Sequence, residues 1–174
     1  IVAENAAGAT IGTLSAIDPD FGDSASYAIA DDASGLFEIV GDELRLKSGV
    51  SVDYETQREF DVTVQATDSA GKVFEKTITI NATDVNEAPG AISLSSTSVV
   101  ENSDGGVVGT IAASDPDAGD IVTYVVSDDR FEIVGDQLKL KSGISLDYET
   151  AEPIDVTITA TDAGGLTSEQ AFTL

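Results

Sequence analysis

The sequence predicts an all-β protein made of two tandem immunoglobulin-like β-sandwiches, and three observations carry that reading. The 174-residue chain contains nearly the whole of its first half a second time. Val, Ile and Thr are abundant, and Gly, Asp and Ser interrupt the apolar runs at short intervals, the rhythm of strands joined by turns. No window sustains the 3.6-residue period of an amphipathic helix.

The repeat aligns motif by motif. Glu4-Asn5 returns as Glu101-Asn102 and Asp18-Pro19-Asp20 as Asp115-Pro116-Asp117, with Asp23 matching Asp120 and Tyr27 matching Tyr124, an offset of 97. Past the Asp31–Gly35 loop, where the second half is three residues shorter, the offset is 94. Phe37 to Asp42 then matches Phe131 to Asp136 letter for letter, Asp53-Tyr54-Glu55 matches Asp147-Tyr148-Glu149, and Ala66-Thr67-Asp68 matches Ala160-Thr161-Asp162. A two-fold repeat means two copies of one domain, each near the size of an immunoglobulin-like sandwich.

Alternation places the strands. Ala9 to Ala16 and Val108 to Ala113 read as the second strand of each copy, followed by Ser26 to Ala30 with Val122 to Val126, and Phe37 to Val40 with Phe131 to Val134. Leu44 and Leu46 flank Arg45 as Leu138 and Leu140 flank Lys139. Phe60 to Val64 and Ile154 to Ile158 alternate apolar and polar with period 2, one face inward and one outward. Val73 to Ile80 and Leu166 to Leu174 close the copies. Copy two opens on a further strand, Ile92 to Val100, of which copy one holds the stub Ile1 to Ala3. Phe37, Phe131, Tyr54 and Tyr148 are expected in the core or at its edge. Residues 1–84 form the first domain, 85–89 a linker stiffened by Pro89, and 90–174 the second. So short a linker predicts domains lying end to end. The absence of an initiator Met or a signal-like segment at Ile1 leads us to expect an excised piece of a longer protein.

Composition narrows the function. With 32 acidic and 8 basic residues, the net charge of −24 argues against nucleic acid and anionic membrane surfaces. His and Cys are absent, which excludes Ser-His-Asp and Cys-His nucleophiles, the usual zinc sites and disulfides. No apolar stretch approaches the length of a membrane helix, so no membrane insertion is expected.

The carboxylates gather in short motifs at strand ends and in loops. In a sandwich, alternate loops share a pole. Glu4, Asp53 and Glu55 then fall at one pole of copy one, and Asp115, Asp117 and Asp162 at one pole of copy two. The linker adds Asp84 and Glu87. Two unit charges about 5 Å apart repel by roughly 0.8 kcal/mol in water and about 3 kcal/mol at an effective dielectric of 20. No Lys or Arg lies inside these motifs. A hard divalent cation with many oxygen ligands answers the need, and calcium suits a flexible all-protein cage better than magnesium.

This ordered set of motifs resembles the cadherin repeat, over both copies. The matching residues are Glu4-Asn5, Asp115-Pro116-Asp117, Val52-Asp53-Tyr54-Glu55, Ala160-Thr161-Asp162 and the linker Asp84-Val85-Asn86-Glu87-Ala88-Pro89. The resemblance implies Greek-key sandwiches arranged end to end, with about three calcium ions at the junction. By that resemblance the first ion takes Glu4, Asp53, Glu55 and Glu87. The second shares Glu4, Glu55 and Glu87 and adds Asp84, the Val85 carbonyl and Asp117. The third takes Asn86, the Ala88 carbonyl, Asp115, Asp117, Asp162 and a carbonyl near Asp120. Two departures stand out: Glu87 replaces the usual Asp, and Ala88 the usual Asn. Asp18, Asp20, Asp23 and Asp68 at one outer end, with Glu101, Asp147 and Glu149 at the other, read as half-sites.

Rival readings fare worse. Asp-Pro-Asp-x-Gly-Asp begins like an EF-hand loop, but its twelfth position is Ile29 or Val126 rather than Glu. Paired carboxylates serve glycosidases, yet both copies carry the same acids and there is no Trp for a sugar platform. Asn81-Ala82-Thr83 is a glycosylation sequon read as chance. Lack of Trp sets aside the Trp-based adhesion of animal cadherins. The Asp-Tyr-Glu motif, the acidic balance and the near-identical copies look like bacterial cadherin-like repeats. The expectation is therefore a calcium-stiffened extender in a secreted or surface adhesin, partnered by adjacent repeats of the same chain. The alternative is an adhesive module that binds polysaccharide or another adhesin.

Overall fold

The structure is a computed structural model that describes residues 1–17, 24–149 and 152–174. The chain divides into two compact units, Ile1–Val85 and Asn86–Leu174. Among the described residues the first unit has seven strands: β1 (Val2–Ala3), β2 (Thr10–Thr13), β3 (Ser26–Asp32), β4 (Phe37–Val40), β5 (Glu43–Leu46), β6 (Glu59–Thr67) and β7 (Val73–Thr83). The second has β8 (Ser93–Leu94), β9 (Val107–Ala112), β10 (Thr123–Val126), β11 (Phe131–Val134), β12 (Gln137–Leu140), β13 (Asp155–Thr161) and β14 (Thr167–Thr173).

Each unit is the expected two-sheet sandwich. In repeat one, β2-β5-β4 forms one sheet and β1-β7-β6-β3 the other; in repeat two, β11-β12-β9-β8 faces β10-β13-β14. β2 pairs with β5 while β3 pairs with β6, so the chain alternates between sheets in Greek-key fashion. The matching hairpins β4–β5 and β11–β12 close on Gly41-Asp42 and Gly135-Asp136. Their glycines sit at φ +66° and +64°, as a two-residue hairpin turn requires.

Alternation also builds the cores. Phe60, Val62 and Val64 of β6 are buried with Phe37, Leu44, Leu46, Val52 and Ile80; Val156, Ile158 and Ala160 of β13 are buried with Phe131, Leu138, Leu140 and Ile111. Phe37 meets Phe60 edge to face with ring centroids 5.9 Å apart. In repeat two Ile154 stands at the position of Phe60 and fills the same layer.

Three expectations need correction. Ile92 to Val100 does not run as one strand: only Ser93–Leu94 pairs, antiparallel to β9. The stub in repeat one pairs differently, parallel to β7, Val2 with Ala82 and Ala3 with Thr83. The second strand of copy one, expected over Ala9 to Ala16, is confined to Thr10–Thr13. In repeat two Ser96 packs its backbone on Gly109, whereas the matching Gly12 faces open space and a groove of about 850 Å³ opens beside β2. Finally, Tyr148 is 80% exposed rather than at the core edge. Its match Tyr54 is held under the Arg58 guanidinium, 4.4 Å from the ring centroid, and Glu152 replaces that Arg in repeat two.

Leu46 is fully buried and Val40 is 46% exposed on the same sheet. Leu46→Ala should cost about 2–5 kcal/mol in urea unfolding monitored by circular dichroism. Val40→Ala should stay within about 0.5 kcal/mol.

Candidate functional site

The parallel pairing of β1 with β7 brings Glu4 beside the start of the linker, with the Glu4 N–H donating to the Thr83 carbonyl at 3.1 Å. Asn5 then turns the chain at φ +58°, a left-handed conformation that Asn tolerates better than other side chains. Glu4 is 2% exposed. A buried carboxylate needs donors, and two backbone groups supply them: Tyr54 N–H to Oε2 and Val85 N–H to Oε1, each at 2.8 Å. Carboxylate oxygens of Glu4, Glu55 and Asp84 lie within 4.8 Å of one another. Partial desolvation, and then the charges of Glu4 and Asp84, push the Glu55 carboxyl above the usual range.

Asp53 is placed otherwise. Its carboxylate caps the following turn, accepting the Thr56 N–H at 2.8 Å and the Thr56 hydroxyl at 2.9 Å, and it is not part of the three-carboxylate group.

In repeat two, Asp115, Asp117 and Asp120 form a second group of oxygens within 4.8 Å, all half-buried. The Asp117 N–H donates to Asp115 Oδ1 at 3.0 Å, and Glu87 N–H to Asp117 Oδ2 at 2.8 Å. Asp115 Oδ2 is buried and has no hydrogen-bond partner among the described residues. Asp162, 6% exposed at the end of β13, stands apart from this group. Its Oδ2 accepts from the Asn86 carboxamide and its Oδ1 from the Leu166 N–H, each at 2.8 Å. Burial alone would raise its pKa, but these bonds and the N–H groups of Gly165 and Gly164 hold it below the ordinary value.

The outer half-sites divide. Glu101, Asp147 and Glu149 form a third group, all exposed, with the Tyr148 N–H on Glu101 Oε2 at 3.1 Å. Glu101 is exposed where its match Glu4 is buried. Asp68 repeats the Asp162 turn, accepting the Lys72 N–H at 2.7 Å. Asp18, Asp20 and Asp23 lie outside the described residues. Val85 and Ala88, expected to offer carbonyls, are both exposed.

The donor set is all oxygen, mostly carboxylate, and one acceptor is buried without a donor, so it fits a hard cation such as calcium. The ion pairs Arg45–Glu38, Arg130–Asp128 and Lys139–Glu132 use other acids. Sequence reasoning missed the capping role of Asp53, which the Thr three residues on signalled. It also missed Gly164, against which the Asn86 carboxamide lies.

Residues 1–83 match the family model of the cadherin domain. Human protocadherin-16 is 34% identical over 151 residues, which is 79% of this chain and 5% of that protein. Among solved structures, PcdhgB3 EC1-4 superposes with a TM-score of 0.72 at 28% identity, covering 99% of this chain and 46% of that one. Human protocadherin-24 EC1-2 superposes at 0.73 over 99% of this chain and 89% of that one, and its 24% identity shows the fold alone.

The raised pKa of Glu55 has a definite sign. The folded state binds its proton more tightly than the unfolded chain, so the charged form costs stability above the folded pKa, and that cost disappears below the unfolded value. In chelator, Glu55→Gln should raise the melting temperature near pH 7. The gain should vanish as the pH falls below the ordinary glutamate range.

Proposed function

We propose that this chain, which belongs to the cadherin family, is a calcium-dependent structural extender whose linker is stiffened by ions held between its two repeats. Cadherin domains are adhesion-related modules, and the chain is extracellular, at the cell surface or secreted. The observation that carries the proposal is Asp115 Oδ2, buried without a donor inside a three-carboxylate group of a chain with net charge −24. A bound cation would supply the missing partner and cancel the repulsion.

About three ions are proposed, with the coordination of the extracellular calcium modules. Glu4, Asp53, Glu55, Asp84, Glu87 and the Val85 carbonyl would serve the first two, with Asp117 joining the second. Asn86, Asp115, Asp117, Asp162, the Ala88 carbonyl and a carbonyl near Asp120 would serve the third. Asp53 would take part through the lone pairs that its bonds to Thr56 leave. The groups at Glu101, Asp147 and Glu149, and around Asp18, Asp20, Asp23 and Asp68, would serve neighbouring repeats of a longer chain. A site with a dissociation constant of about 10 μM at 1 mM free calcium would add roughly 2.7 kcal/mol of stability.

The relatives above whose source is given are human proteins, so the bacterial adhesin rests on the Asp-Tyr-Glu motif, the acidic balance and the similarity of the two copies. Adjacent repeats are the proposed partners. Homophilic binding is the second reading, favoured by the family, and polysaccharide binding has no structural feature in its support among the described residues.

Small-angle scattering in calcium and in chelator tests the extender. Calcium should narrow the distribution of interdomain orientations while far-UV circular dichroism stays that of β structure, and an unchanged distribution contradicts it. By calorimetric titration, Glu55→Ala should lose more calcium affinity than Asp53→Ala, because the Glu55 carboxylate already stands in the three-carboxylate group and that of Asp53 stands outside it.

A further inference from the structure

The turn after Asp162 carries two glycines that answer to different demands. Gly165 has φ +92° and its match in repeat one, Gly71, has φ +83°, so both need glycine for the backbone. Gly164 is not among the glycines at positive φ, and its match in repeat one is Ala70. The turn backbone therefore tolerates a Cβ at this position. What does not tolerate it is Asn86: a Cβ on Gly164 would lie 2.5 Å from the Asn86 Cγ, 2.7 Å from Nδ2 and nearer still to Oδ1.

We propose that Gly164 is a positioning residue for the linker. By lacking a side chain, it opens the notch through which the Asn86 carboxamide reaches Asp162. It thereby docks residues 86–90 on repeat two before any ion arrives and orients Asn86 as a calcium ligand. The ligand role rests on the calcium reading above, whereas the docking does not.

The docked segment has several attachments. Asn86 Nδ2 donates to Asp162 Oδ2 at 2.8 Å, Glu87 N–H to Asp117 Oδ2 at 2.8 Å and Gly90 N–H to the Ser114 carbonyl at 2.7 Å. The Ser168 hydroxyl donates to the Gly90 carbonyl at 3.3 Å, and Pro89 is buried. Asp162 itself is pinned by the Leu166 N–H. A methyl group at Gly164 would therefore displace the Asn86 side chain, which turns about its own bonds, rather than the turn. Outer groups that orient metal ligands typically change affinity by about 10–100-fold when altered.

The test compares Gly164→Ala, Asn86→Ala and the double variant in the intact chain. Gly164→Ala should fold, since repeat one carries Ala in the same turn. In chelator, it should move the Asn86 side-chain amide resonances to solvent-like positions and speed hydrogen exchange at the Glu87 N–H. In calcium titration it should weaken binding by about tenfold or more. On the Asn86→Ala background it should change neither exchange nor affinity. Unaltered Asn86 resonances in Gly164→Ala, or an equal loss on the Asn86→Ala background, would overturn the proposal. If the wild-type chain binds no calcium, the calcium reading fails by itself, and the resonances in chelator still decide whether Gly164 docks the linker.

Discussion

Like-charge repulsion at the strand ends is the constraint on which the rest depends. Oxygens of three carboxylates within 4.8 Å are found at the Glu4 pole of repeat one and at the Asp115 pole of repeat two. At that spacing each pair of unit charges costs about 1–3 kcal/mol, according to how far water screens it. The sandwich cores do not offset this locally, because Phe37, Leu46, Leu138 and their neighbours are packed between the sheets. What holds the carboxylates is the backbone. N–H groups of Tyr54 and Val85 hold Glu4, those of Leu166 and its turn hold Asp162, and the Glu87 N–H holds Asp117. These donors leave part of the negative charge uncompensated, most plainly at Asp115 Oδ2.

The two repeats act as an internal comparison. Glu4 and Glu101 occupy matching motifs, yet one is buried and the other exposed. In repeat one β1 lies along the end of β7, and the Val85 N–H that follows that strand donates to the Glu4 carboxylate. Tyr54 and Tyr148 differ for a similar reason, since Arg58 covers one ring and Glu152 replaces that Arg in the other copy. Two copies of one module thus report which features are intrinsic to it and which depend on what lies beside it.

Legibility followed range. The strands of each sandwich were readable because alternation and hairpin turns are local, as in Phe37 to Leu46 with its Gly41-Asp42 turn. The repeat marked the same acids twice, and the structure brings Glu4, Glu55 and Asp84 together while Asp53 stands outside that group. The parallel pairing of β1 with β7 was not readable, since it joins residues 80 positions apart and leaves no local pattern. Asp53 could not be assigned from its motif alone, because Thr56 competes for both of its oxygens. Gly164 looked like any turn glycine until the position of the Asn86 side chain was known.

The central claim is that these acids form cation sites rather than a solubilising surface. Isothermal titration of the chelator-stripped chain with calcium, and in parallel with magnesium, tests it most directly. The account predicts saturable calcium binding of about three ions at millimolar concentration or below, with much weaker magnesium binding. Heats that are small, unsaturable and equal for the two ions would contradict it.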